Sequence, residues 1–242
     1  MTRLSVNVNK IATLRNARGG QLPNLKTVTL DIERFGAQGI TMHPRPDERH
    51  IRFKDIYEIA PALKTEFNIE GYPSDKFIAL IREVQPAQAT LVPDPPHVLT
   101  SNAGWQVKAN EGILRPLIRR LKETGVRVSL FIDPKTVQDS EFELMKNLGV
   151  DRIELYTEAY AESYGGPQQL AVTELYKHAA HKARAVGLGL NAGHDLNTQN
   201  LRHLVTEIPF IDEVSIGHAL VCDALYWGLE KTVHSYLACL KT

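Results

Sequence analysis

The sequence predicts an α/β fold, a (β/α)8 TIM-type barrel with extra helices, spanning residues 1–242 as one domain. Three observations carry this. Eight short apolar runs recur along the chain, each followed by a stretch with helical spacing, the pattern of βαβ units and a parallel sheet. Each run ends in polar, chemically competent residues, and in such barrels functional groups collect at the C-terminal ends of the strands. The length of 242 residues matches the roughly 250 usual for this architecture. No linker or low-complexity segment divides the chain.

In order, the strands are expected at LSVNVN (4–9), GITMHP (39–44), FNIEGY (67–72), ATLVP (89–93), VSLFIDP (128–134), IELYTE (153–158), GLGLNAGH (187–194) and VSIGH (214–218). Each is a short apolar or β-branched run, most of them punctuated by Gly or Pro. Helical patterns fill the intervals at 24–36, 54–66, 111–125, 136–148, 167–186, 198–207 and 219–240. In 54–66, Ile56, Ile59, Ala60 and Leu63 recur every three to four residues, as an amphipathic helix requires. Ser74 precedes an acidic residue and then Phe77, Leu80 and Ile81, which marks an N-capped helix. Two segments break the rhythm. HPRPDERHIRF (43–53) follows the second run with two His and three Arg, and 94–110 is a long loop after the fourth. Long ordered loops are commonly functional.

Composition excludes several classes. Lys+Arg and Asp+Glu each number 28, so neither a basic excess nor a basic stripe suggests a nucleic-acid or membrane-surface binder. Arg115, Arg119 and Arg120 form a local cluster able to bind an anion. Cys222 and Cys239 lack metal-ligand spacing and read as buried thiols of a reducing compartment. With no secretory h-region and no apolar run near 18 residues, the expectation is a soluble cytoplasmic protein.

The strand ends carry Asn7, Asn9, His43, Arg45, Glu70, Asp133, Glu158, His194 and His218. Asn7 and Asn9 are two apart, which on a strand puts both on one face near the barrel mouth. Arg15 and Arg18 follow on one side of a turn or short helix. Glu70 after Ile69 is a partly desolvated carboxyl, and desolvation raises a carboxyl pKa towards neutrality, where it suits proton transfer. An ion pair with a nearby arginine is the competing role. His43 and His194 end two further strands, and histidine exchanges protons near pH 7. Basic residues in the 43–53 loop suit phosphate or carboxylate, because arginine offers a planar fork of donors. Gly193-His194 and Gly217-His218 stand at the seventh and eighth strands, where such barrels often bind phosphate against a helix N-terminus. Simple sharp turns would use glycine equally well. No metal site is expected, since the first strand has Asn rather than an HxH pair and HExxH is absent.

Taken together, VNVNKIATLRNARGG, GITMHPRPDERHI, FNIEGYPS, TLVPD, VSLFID, LNAGHDLN and IGHALV resemble the pyridoxine 5′-phosphate synthase family along essentially the whole chain. The resemblance implies condensation of 3-amino-2-oxopropyl phosphate with 1-deoxy-D-xylulose 5-phosphate, giving pyridoxine 5′-phosphate, phosphate and water. It implies no metal or organic cofactor, and a homo-octamer of four dimers. Matched by motif, His43 and Glu70 fall on proton acceptors and His194 on the proton donor. Asn7, Arg18, Gly217 and His218 fall on positions holding the aminooxopropyl phosphate, and Arg45, His50 and Thr100 on positions holding the deoxyxylulose phosphate. Asn9 and Asp195 also fall on substrate-binding positions, but depart from the family pattern. Asn9-Lys10 replaces the commoner Asp-His, Asp195 replaces a glycine, and Asn102 replaces a glutamate. Asn9 accepts hydrogen bonds but cannot act as a base. Asp195 beside a phosphate is unfavourable unless its charge points away.

Two other readings compete. Another phosphosugar barrel, such as an aldolase, would need a Schiff-base lysine, and the later strand ends carry none. A non-catalytic barrel that binds a phosphometabolite would keep the arginines and glycines but would not need Glu70 or His194.

Overall fold

The computed structural model describes residues 1–93 and 103–241. Its eight strands are β1 (Arg3–Asn7), β2 (Gly39–Met42), β3 (Glu66–Gly71), β4 (Gln88–Leu91), β5 (Arg127–Ile132), β6 (Arg152–Tyr156), β7 (Gly189–Gly193) and β8 (Glu213–Ile216). They pair in parallel in sequence order, and β8 closes on β1, so the sheet is a barrel without edges.

Alternation along each strand explains the closure. Leu4, Val6, Ile40, Met42, Ile69, Leu91, Leu130, Ile153, Leu155, Val214 and Ile216 are fully or almost fully buried between strands and helices. The residues between them face the barrel axis, and they are polar: Ser5, Thr41, Asn68, Thr90, Ser129, Glu154, Asn191 and Ser215. Buried groups of this kind are mostly paired, and among the described residues Ser129 Oγ and Glu154 Oε2 are the exceptions in this set. Ser5 and Thr41 hydroxyls lie 2.8 Å apart, Thr90 Oγ1 donates to Asn68 Oδ1 at 3.0 Å, and Asn191 reaches across to Gln88 at 3.4 Å. At the N-terminal end Arg3 and Arg127 both pair with Glu66. There Arg127 Nε also donates to Gln88 at 2.9 Å, and Arg152 to Asn191 at 3.1 Å. That network forms the floor.

The helices around the barrel are α1 (Asn9–Asn16), α2 (Leu25–Arg34), α3 (Phe53–Ile59), α4 (Asp75–Val84), α5 (Glu111–Lys122), α6 (Asp139–Leu148), α7 (Glu158–Ser163), α8 (Gln169–Ala185), α9 (Leu201–Glu207), α10 (His218–Trp227) and α11 (Leu229–Cys239). Asn24 caps α2, and Ser74 caps α4 by accepting the Phe77 N–H at 3.2 Å. Gly149 at φ +91 ends α6 in the left-handed region that glycine enters without penalty.

Several expectations are corrected. The first strand stops at Asn7, and Asn9 opens α1, so the two asparagines do not share a strand face. The 219–240 pattern is two helices, broken at Gly228 with φ +80. Cys222 is exposed, not buried. The arginine cluster on α5 is spent on neighbours: Arg115 on Glu111 at 2.6 Å, Arg120 on Asp75 at 2.8 Å, Arg119 on Glu123 at 3.7 Å. Among the described residues no helix is long and apolar enough to cross a membrane.

Candidate active site

A cavity opens at the C-terminal mouth, and every strand or its following loop contributes to its wall. β1 and α1 supply Asn7, Asn9 and Lys10; the segment after β2 supplies His43, Arg45 and His50; β3 supplies Glu70. Val92, Phe131 and Glu154 line the far side, followed by His194, Asp195 and Leu196 after β7, and Ser215, Gly217, His218 and Ala219 around β8. His43, Glu70 and His194 therefore share one chamber.

Glu70 is the electrostatic centre. Burial pushes its carboxyl up to about 7; His194 and Arg45 pull against that rise and Glu213 adds to it. It accepts the Asn7 amide N–H at 3.5 Å and lies 3.9 Å from His43 Nδ1. Burial, reinforced by Arg45, His50 and Arg49, holds the His43 imidazole well below its ordinary pKa. A neutral imidazole beside a carboxyl that titrates near neutrality makes a pair of proton acceptors. His50 is likewise pushed down to about 4 by burial and then by Arg45. Its Nδ1 accepts the Ile51 N–H at 2.9 Å.

The asparagines are a bracket. Asn7 Oδ1 accepts the Asn9 N–H at 3.0 Å, and Asn9 Oδ1 accepts the His43 N–H at 3.0 Å. An amide thus couples the ends of β1 and β2 and fixes the backbone that carries His43.

The glycines differ in purpose. A Cβ on Gly217 would stand 3.0 Å from both Cβ and the carbonyl oxygen of Asn7, so glycine permits β8 to lie against β1. Gly217 is also the N-cap of α10, whose opening residues His218 and Ala219 reach the cavity. Unpaired first-turn N–H groups and the helix dipole there favour an anion. Gly193 instead makes room for a side chain, since a Cβ there would lie 2.2 Å from Glu154 Oε1.

Glu154 is the residue that sequence reasoning missed. It sits mid-strand in β6, facing the axis, and among the described residues its Oε2 has no hydrogen-bond partner. Burial, then Glu70 and Glu213, raises its pKa well above the ordinary carboxyl value. That shift favours the protonated acid, the form that can donate a hydrogen bond. The signal was a lone carboxylate at an inward position of IELYTE. Glu158, at the end of that run, opens α7 and does not line the cavity. Asp133 does not line it either.

Two arginines lie elsewhere. Arg15 is buried and clamps Asp55 through 2.6 and 2.9 Å bonds, tying α1 to α3. Arg18 is exposed in the turn beyond α1, outside the cavity lining. Thr100 and Asn102 lie outside the described residues. Among those described, no group of three or more His, Cys, Asp or Glu side chains converges as a metal site would need.

Residues 4–242 match the family described as "Pyridoxal phosphate biosynthesis protein PdxJ". The chain belongs to that family. The chain is 56% identical over 241 residues to the pyridoxine 5′-phosphate synthase of Cytophaga hutchinsonii, covering 100% of both chains. With the protein of the same name from Porphyromonas gingivalis it shares 57% over 236 residues, 98% of each chain. Among solved structures, a mutant tryptophan synthase alpha-subunit from Pyrococcus furiosus superimposes with a TM-score of 0.67 at 14% identity, over 98% of both chains. A protein from Aquifex aeolicus gives 0.66 at 15%, over 100% of this chain and 94% of that one. These structural likenesses establish the fold. Membership in the PdxJ family makes this chain an enzyme.

Proposed function

We propose that this enzyme condenses 3-amino-2-oxopropyl phosphate with 1-deoxy-D-xylulose 5-phosphate to pyridoxine 5′-phosphate, releasing phosphate and water. The observation that carries the reading is the convergence of Glu70, His43 and His194 on one cavity that is also lined by Lys10 and Arg45. Carbinolamine formation, dehydration, phosphate loss and ring closure each move protons, so a site with several acid–base groups suits the sequence of steps. Holding two substrates in one chamber also supplies the entropic advantage of an intramolecular reaction.

In this reading Glu70 and His43 accept protons and His194 donates. Asn7, Gly217 and His218, with the α10 N-terminus, hold the aminooxopropyl phosphate. Arg45 and His50 hold the deoxyxylulose phosphate. Asn9 acts through the bracket that fixes His43. Arg18 and Thr100 keep their places on the resemblance alone, as does assembly into a homo-octamer, which sedimentation would test. The test of activity is to mix purified protein with both substrates and follow pyridoxine phosphate by absorbance, with phosphate release in parallel. Stoichiometric appearance of both supports the reading. Consumption of one substrate without ring formation refutes it.

A further inference from the structure

Two consecutive non-glycine residues at the end of β7, His194 at φ +78 and Asp195 at φ +41, occupy the left-handed region. Side chains other than glycine's enter it at a cost, so such strain persists only where surroundings enforce it. Here they do. The Thr157 hydroxyl donates to the carbonyls of Gly193 and His194, the Leu196 N–H turns back on the His194 carbonyl, and the Asn200 amide holds the Asp195 carbonyl at 3.3 Å.

The conformation delivers one contact. His194 Nδ1 lies 2.5 Å from Asp195 Oδ2, and the Tyr156 ring packs edge-on against the imidazole with centroids 5.0 Å apart. Among the described residues Nε2 takes no partner. An anionic side chain on the wall of a cavity that receives anions is a second cost, since like charges repel. Strain and charge are both offset if the carboxylate is engaged with the ring.

We propose that Asp195 is a positioning residue. In the imidazolium its carboxylate accepts Nδ1–H of His194 and fixes the ring's orientation, so the proton handed to the substrate is the one on Nε2 and the neutral ring left behind keeps its proton on Nδ1. The inference rests on the proposed function for the identity of the proton's acceptor, but not for the dyad itself. The charged groups that bear on this pair are Glu70, which attracts the imidazolium, and His218, which acts on Asp195. The hydrogen bond to His194 holds the Asp195 carboxyl below its ordinary range.

Asp195→Asn and Asp195→Gly test this, because both residues tolerate positive φ and keep the fold. Nitrogen-15 NMR of His194 in the full-length protein, without substrate, reads the tautomer. In wild type the neutral ring carries its proton on Nδ1. Asp195→Asn keeps that tautomer through its amide oxygen. Asp195→Gly loses the tautomer preference as well. In turnover, both variants lower kcat by about 10- to 100-fold with smaller changes in KM, and the alkaline limb of the kcat profile moves to lower pH. A His194 tautomer unchanged in Asp195→Gly would overturn the dyad. Absence of ring formation by wild type, with the NMR shifts intact, would fault the assigned reaction and leave the dyad standing.

Discussion

Replacing Glu70 by Gln separates the stability of the fold from the chemistry of its site. Carrying a carboxyl from its ordinary 4.5 up to about 7 means that ionising it in the native state costs about 3 kcal/mol more than in the unfolded chain. The sign follows from proton counts. Between these two values the native protein holds a proton that the unfolded chain has released, so stability falls as pH rises. The penalty is absent below pH 4.5, grows through the window and is complete above about 7. Gln has no proton to lose and avoids it. Urea unfolding of both proteins at pH 5 and at pH 8.5 measures the difference directly. Near pH 5 the two should agree to within about 1 kcal/mol, the amide replacing a neutral acid of the same shape. At pH 8.5 the variant should be the more stable by about 2–3 kcal/mol. Its turnover should meanwhile fall by two or more orders of magnitude, the scale on which a general base contributes. A stability difference that does not change with pH would refute the burial argument. Wild-type turnover would refute the role.

If Glu70 acts as a base, kcat/KM must rise with pH through about 7, where its carboxyl ionises, and a profile flat from pH 5.5 to 8 would contradict that. Gly217→Ala puts a methyl 3.0 Å from the Asn7 backbone and should cost about 1–3 kcal/mol by overpacking, read as a lower urea midpoint. KM for the phosphoester at the α10 N-terminus should rise with it. Asp55→Ala leaves Arg15 buried without its carboxylate, and loss of one partner of a buried pair costs about 3–5 kcal/mol. Thermal unfolding checks this, and a loss below about 1 kcal/mol would mean the guanidinium finds water.

The barrel was legible because its strands are short apolar runs at regular spacing, and closure in chain order follows once eight are counted. Boundaries fared worse where periodicity runs through a break. Nothing in the apolar pattern of 219–240 marks Gly228, because the residues on either side continue the same stripe. Asn9 looked like a strand residue since Val8 continues the alternation, yet β1–β2 pairing ends at Asn7 opposite Thr41. The mouth residues His43, Glu70 and His194 could be placed because strand ends converge whatever the details of packing. Arg15 could not, since its partner Asp55 stands 40 positions away and only the assembled α1–α3 contact brings them together. Glu154 was hidden by its place within a strand, where only its parity distinguishes an axis-facing carboxylate from a surface one.

The floor ion pairs and the cavity at the mouth occupy opposite ends of the same strands. Along the five residues of β1 that is a separation of about 13 Å, at roughly 3.3 Å per step. Free-energy changes at sites so far apart add nearly independently, with Glu213 the one link between them, since it feels Glu66, Arg3 and Arg127 below and raises the Glu70 carboxyl above. Robustness can therefore be engineered into this scaffold from below, by strengthening the salt links around Glu66, while the reacting end is redesigned on its own terms.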